Sequence, residues 1–316
     1  MSGKHLGSAI RPADPAGIAA AAEVLRAGGL VAVPTETVYG LAARADSAAA
    51  VAAIYRAKGR PDFNPLIVHV ADVAQGETLA VFDSRARALA RAFWPGALTL
   101  VLPLSPDARI APAVTSGLPT VALRCPAHPA MRALLMQSGL ALAAPSANRS
   151  GAVSPTRAEH VTASLGAAVT LVLDGGACSA GIESTIVALR ADGGWQVLRP
   201  GPVSAEQIAA ILGTAPDVKA VNGIEAPGQL ASHYAPGKPV RLGAASADSD
   251  EFHIGFGSVA GAVSLSPSGD LAEAAARLYE CLHQAAAAPQ PRVAVAPVPE
   301  TGIGAAINDR LRRAAA

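Results

Sequence analysis

Apolar and polar positions alternate along the first two thirds of the chain in two distinct periods. A 3.6-residue period, with apolar positions three and four apart, predicts helices over 15–27, 47–58, 84–93, 129–137, 156–164 and 204–212. Short apolar runs between them predict strands over 30–34, 66–70, 98–102, 120–124, 140–144, 170–174, 184–189 and 195–199. The end signals agree with these periods. Asp14 precedes Pro15 as an N-cap, Gly28 and Gly29 stop the first helix, and Ser47 can cap the second. Strands mixed with helices in this way predict a layered α/β domain over residues 1–213.

The pattern breaks after Gly213. Residues 214–239 are rich in Pro and Gly and carry little periodicity, which predicts a linker or a long functional loop. Alternation then resumes. Strands are predicted over 240–242, 252–256, 262–265 and 293–297, and helices over 270–287 and 304–315, making 240–316 a small second α/β domain.

Composition narrows the function classes. Hydrophobic residues make up 51% of the 316 residues and aromatics only 3%, so the core must be built from Ala, Val, Leu and Ile. A net charge of +1 is too balanced for a broad nucleic-acid footprint, although a local basic pocket remains open. Cys125, Cys178 and Cys281 lie far apart, which argues against a disulfide framework or a zinc site and favours reduced thiols in a cytosolic protein. The N-terminus lacks the apolar stretch of a secretory signal, and the longest apolar runs are strand-sized, so no membrane association is expected.

Candidate chemistry is spread over six runs: PTETVYGL (34–41), KGRPDFNPLIVHV (58–70), TVALRCP (120–126), APSANRSGAVSPT (144–156), GIESTIV (181–187) and LRPGP (198–202). Each has an ordinary reading. Lys58 and Arg60 at a helix end complement the helix macrodipole, or they bind a polyphosphate. His69 inside an apolar strand, sharing a face with Ile67, is a satisfied structural residue or part of a site. Asn64 before Pro65 is a turn residue by default. Arg124 at a strand end is solvated, or it clamps a carboxylate through paired hydrogen bonds. Ser154 before Pro155 caps a helix, or its loop presents hydroxyls and N–H groups to phosphate. Familiar nucleotide signatures fail. There is no GxxxxGK[ST] loop, and the GxGxxA match at 255–260 runs into a predicted strand where the fingerprint requires a helix. No GxSxG elbow or HExxH pair marks a covalent nucleophile or a zinc enzyme.

Taken together and in this order, the six runs resemble the threonylcarbamoyl-AMP synthases of the two-domain form. The segment 226–237 (APGQLASHYAPG) is similar to the family's interdomain linker, and 295–308 to its C-terminal domain. The resemblance implies a twisted mixed-sheet YrdC-like domain with a positive cavity, followed by a small Rossmann-like α/β/α domain. It implies that Thr37, His69, Arg124, the backbone at Ala144 and Ser184 hold threonine. It also implies that Arg60, Asn64, Thr120, Ser146, Ser154, Arg199 and Tyr234 hold ATP, with Lys58 close to the phosphates, so that Lys58 and Arg60 are the catalytic candidates. The resemblance further implies bicarbonate as the third substrate and Mg²⁺ accompanying the nucleotide. On the same resemblance the product is expected to pass to a tRNA threonylcarbamoyl-transferase complex, with no stable nucleic-acid complex of the chain's own. Tyr234 is either an interface aromatic or part of a lid. Two other classes compete: an RNA-binding or ribosome-assembly module, disfavoured by the weak charge and the lack of interleaved aromatics, and a carbamoyl transferase of the hydrogenase-maturation type, disfavoured by the linker and tail.

Overall fold

The structure, a computed structural model, describes residues 9–217, 225–229 and 232–316. The N-terminal signal reading falls on residues 1–8 and part of the linker on 218–224 and 230–231, outside the described residues.

Ten strands form one mixed sheet: β1 (Ala9–Pro12), β2 (Val31–Val33), β3 (Gly40–Arg44), β4 (Ile67–His69), β5 (Leu98–Pro103), β6 (Thr120–Arg124), β7 (Leu142–Ala143), β8 (Leu171–Asp174), β9 (Thr185–Leu189) and β10 (Trp195–Arg199). Their spatial order is β1-β8-β2-β3-β7-β4-β6-β5-β9-β10. A second sheet holds β11 (Val240–Arg241), β12 (Glu251–Gly255), β13 (Val263–Ser264) and β14 (Arg292–Val295), all parallel, in the order β11-β14-β12-β13. This is the α/β architecture, a twisted mixed sheet followed by a small parallel one, that the resemblance implied.

Local chemistry explains most element ends. Asp14, Ser47, Asp83, Ser204 and Asp270 each accept a backbone N–H of the helix that follows, which satisfies a donor the first turn leaves open. The predicted 156–164 helix instead begins at Ala158 with Arg157 at the cap position, so Ser154 caps nothing. β1, β3 and the short helices Val73–Glu77 and Pro112–Thr115 were not predicted. β1 carries four exposed residues, and β3 (Gly-Leu-Ala-Ala-Arg) is buried but made mostly of small residues with weak strand preference. The rejection of 255–260 as a dinucleotide fingerprint agrees with the structure, where β13 follows it rather than a helix.

The two faces of the large sheet pack differently. Leu66, Val68 and Val70 join the main core with Val121 and Leu123. Ile67 and Ala122 face the other way, with Val101, Ile186, Ala188 and Leu198, and are covered by Ala226 from the linker. The C-terminal core is continuous with the first domain's loops, since Val38, Val153 and Ile182 pack in one cluster with Tyr234, Leu278 and Tyr279.

Candidate active site

The linker-covered face of the sheet carries a cavity. Its wall includes Thr37, Arg60, His69, Arg124, Ala144, Ser146, Ser184, Arg199 and Tyr234, all nominated from sequence. Register explains the convergence. β4 pairs with β6 so that His69 lies opposite Arg124 and Ile67 opposite Ala122. Ile67 in turn accepts the N–H of Ala144, which leads to Ser146. One end of the cavity is therefore built around Arg124 and His69, and the other around Ser146, Lys58 and Arg60.

At the first end, Arg124 is locked in place. It donates to Thr37 Oγ1 at 2.8 Å, to Glu36 Oε1 at 2.6 Å and to the Gly96 carbonyl at 3.1 Å. These engage three of the five N–H groups that a guanidinium carries. Glu36 also accepts from the N–H of Ala127 and His128. Burial would raise the Glu36 carboxyl, but Arg124 outweighs it and the carboxyl lies below its ordinary range. Thr35 holds Thr37 through a 2.8 Å hydroxyl contact, and Thr99 holds Ser184 at 2.7 Å. Burial, then repulsion from Arg124, pushes His69 down to about 3, so its ring is neutral at pH 7. His69 Nδ1 is buried without a partner.

The other end is crowded with cations. Lys58, 3% exposed, donates to the carbonyls of Ser146 and Asn148, both at 2.6 Å, and so leaves its own helix rather than complementing its dipole. Arg60 donates to Asn64 Oδ1 at 2.6 Å and to the Pro65 carbonyl at 2.9 Å. Arg199 donates to the backbone and hydroxyl of Ser184. Burial lowers each of these groups, and mutual repulsion adds to it: Arg60 acts on Lys58, Arg199 on Arg60, and Arg310 on Arg199. Lys58 is driven well below its ordinary range and Arg60 to about 10. An anion placed among them would relieve all three, because burial penalises a charge least when an opposite charge accompanies it.

Not every nominated residue reaches the wall. Asn64 and Lys58 stand behind it, holding Arg60 and Ser146. Ser154 is fully buried and gives its hydroxyl to Glu183 at 2.6 Å. Thr120 opens β6, on the same face as Ala122 and Arg124 by alternation, but at the opposite end of the strand from Arg124 and beyond the cavity wall.

Sequence reasoning passed over Thr35, Glu36, Thr99, Asn148, Glu183, Gly228 and His233. Glu36 and Glu183 had one legible signal, an acidic side chain opening an apolar stretch. Pro227, Gly228, His233 and Tyr234 close the cavity from the linker. Gly228 has φ +87°, and a Cβ there would lie 2.8 Å from Arg199 Cδ. Tyr234 holds φ +64° with a bulky side chain, a conformation that costs free energy and persists only where packing enforces it. Among the described residues, the buried side-chain polar atoms without a partner are His69 Nδ1, Asn148 Oδ1, His233 Nδ1 and Gln290 Oε1. The first three belong to the cavity or its immediate support.

Residues 203–316 match the family profile described as threonylcarbamoyl-AMP synthase, C-terminal domain, and residues 23–201 the profile described as telomere recombination. The chain is 41% identical to the threonylcarbamoyl-AMP synthase of Bacillus subtilis, over 94% of this chain and 92% of that one. The chain belongs to the threonylcarbamoyl-AMP synthase family. Identity to the synthase of Pyrococcus abyssi is 46%, over 70% of this chain and 66% of that one. The crystal structure of P. abyssi Sua5 complexed with L-threonine superposes with a TM-score of 0.88 at 35% identity, covering 98% of this chain and 96% of that one. In a synthase of this family the cavity just described lies where six separate sequence runs meet.

Proposed function

We propose that the chain is an adenylyl-transferring synthase that forms threonylcarbamoyl-AMP and pyrophosphate from L-threonine, bicarbonate or CO₂, and ATP. Its product would serve N6-threonylcarbamoyladenosine formation in tRNA, in the cytosol, by way of a separate transferase complex. Among the described residues no helix is long and apolar enough to cross a membrane. The observation that carries the reading is the unpartnered, neutral His69 Nδ1 beside Arg124 at one end of a cavity whose other end is lined by Arg60 and Arg199, with Lys58 behind them. A small amphoteric ligand with a carboxylate and a hydroxyl fits the first end. A polyphosphate fits the second.

The amine of threonine and bicarbonate first give a carbamate and water. A carbamate oxygen then bonds to the α-phosphorus of ATP as the bond to the β-phosphate bridge breaks, and pyrophosphate leaves with that electron pair. No protein nucleophile is needed, so the rate must come from alignment and from cations placed where charge develops. Arg124, pre-oriented by Glu36 and Thr37, grips the threonine carboxylate with its remaining N–H groups. His69 Nδ1 and Ser184 would bind the side-chain hydroxyl or the carbamate. Arg60, Arg199 and Ser146 face the nucleotide, Lys58 neutralises it from behind, and Asn64 holds Arg60 in place. Magnesium enters with the triphosphate as part of the substrate. The cavity's own carboxylate, Glu183, is already taken by Ser154, Tyr279 and Arg310, which suits an ion held by phosphates and water. Pro227, Gly228, His233 and Tyr234, from the linker, form a lid that shields a mixed anhydride from water.

The test is pyrophosphate release from ATP by purified protein, with threonine and bicarbonate omitted in turn. Release that requires both supports the reading. Release indifferent to threonine sinks it.

A further inference from the structure

Glu183 is a carboxylate in the wall of a cavity read here as an anion site. Unopposed, it would repel a triphosphate. Its oxygens accept from Ser154 Oγ at 2.6 Å, from Tyr279 Oη at 2.7 Å and from Arg310 Nε at 3.1 Å. Ser154 belongs to the first domain. Tyr279 and Arg310 come from the C-terminal domain, on the helices Leu271–Ala287 and Gly304–Ala314.

Arg310 is fully buried, and it also donates to the Glu183 carbonyl at 3.5 Å and to Asp309 Oδ2 at 2.8 Å and lies over the ring of Tyr234, 5.6 Å away. Tyr234 and Tyr279 pack ring to ring at 5.4 Å. The close approach is built into the backbone. Gly181, at φ +69°, sits where a Cβ would lie 2.4 Å from the backbone of Ala276. Burial opposes the charge on Glu183, but Arg310 and then Arg199 outweigh it and hold the carboxyl at about 2. Glu183 is thus ionised at pH 7 and needs a permanent counter-cation, and the cation that touches it belongs to the other domain.

We propose that Arg310 and Tyr279 are positioning residues of the active site: the C-terminal domain neutralises and orients Glu183, which in turn fixes Ser154 and leaves Arg199 for the nucleotide phosphates. The C-terminal domain is then part of the nucleotide site rather than an appendage to it. Removing Arg310 releases Glu183 to pair with Arg199, which draws a cation off the phosphates and presents a negative charge to them. This rests on the nucleotide reading of the cavity given above.

The experiment uses the full chain with Arg310→Met, Arg310→Lys, Tyr279→Phe and the double change Arg310→Met with Glu183→Gln. ATP binding is measured by calorimetry without threonine or bicarbonate, KM for ATP and for threonine by pyrophosphate release, and folding by thermal melting. Arg310→Met is expected to weaken ATP binding and raise its KM at least tenfold, with KM for threonine within about twofold. Arg310→Lys should lie between, and the double change should recover most of the lost ATP affinity, because no charge is left to compensate. Tyr279→Phe should raise KM for ATP a few-fold. A folded Arg310→Met with unchanged ATP affinity overturns the proposal, as does a double change no better than the single. If Arg310→Met fails to fold, the double change and Tyr279→Phe decide by the same criteria. A wild-type chain that binds ATP in an Arg310-dependent way but releases no pyrophosphate would refute the reaction and leave this inference standing.

Discussion

Replacing Arg124 by Ala removes the group read here as the threonine carboxylate clamp. The structure sets two separate magnitudes. The guanidinium is 4% exposed and paired with Glu36, so its loss leaves a mostly buried carboxylate unpaired, a change of about 3–5 kcal/mol in stability. The substrate term is smaller: one charge-assisted hydrogen-bonding partner contributes about 1.5–3 kcal/mol, which corresponds to roughly a 10- to 150-fold rise in KM for threonine. Arg124→Lys keeps the charge but cannot reach Thr37, Glu36 and a substrate in one planar fork, so its effect should fall between wild type and Ala. The assay is pyrophosphate release against threonine concentration at saturating ATP, run well below each variant's melting temperature. KM for ATP should stay within a few-fold, because Arg124 and the Lys58 end lie at opposite ends of the cavity. A folded Arg124→Ala with unchanged threonine dependence refutes the clamp, whatever it does to stability.

Acid stability gives a second prediction. His69 and His233 are held at about 3 in the folded protein, below the unfolded value near 6.5, so the stability they reflect is complete above pH 6.5 and is lost as pH falls toward 3. Each should cost about 2 kcal/mol by pH 5, and replacing either by Gln should flatten the fall in melting temperature between pH 7 and 5. An unaltered slope in both variants would show that these rings are not buried neutral. Third, Gly228→Ala forces a side chain against Arg199 and Tyr234 at a positive φ, which should raise KM for ATP and increase protease cleavage within 214–239 with little change in melting temperature. Wild-type kinetics and cleavage would remove the lid from the account.

Much of this was legible in the chain. Periodicity located most strands and helices because apolar spacing follows directly from which face is buried, and the caps at Asp14, Ser47, Ser204 and Asp270 are local chemistry that one residue type and its neighbours decide. The alternation in 66–70 already placed Ile67 and His69 on one face, and the structure puts that face on the cavity. Local pattern could not show β1, whose pairing depends on β8 some 160 residues on, or the second partner of β3, β7, about 100 residues on. Nor could it show that Ser154, a helix cap by default, gives its hydroxyl to a carboxylate 29 residues on. Arg310 was invisible for the same reason. In a helix ending Asp-Arg-Leu-Arg-Arg it reads as a solvated cation, and only the packing of two domains buries it against Glu183, 127 residues away. Capping and burial periodicity are set by neighbours in sequence. Charge compensation is set by neighbours in space, so only the tertiary structure decided which cations face the cavity and which carboxylate they must balance.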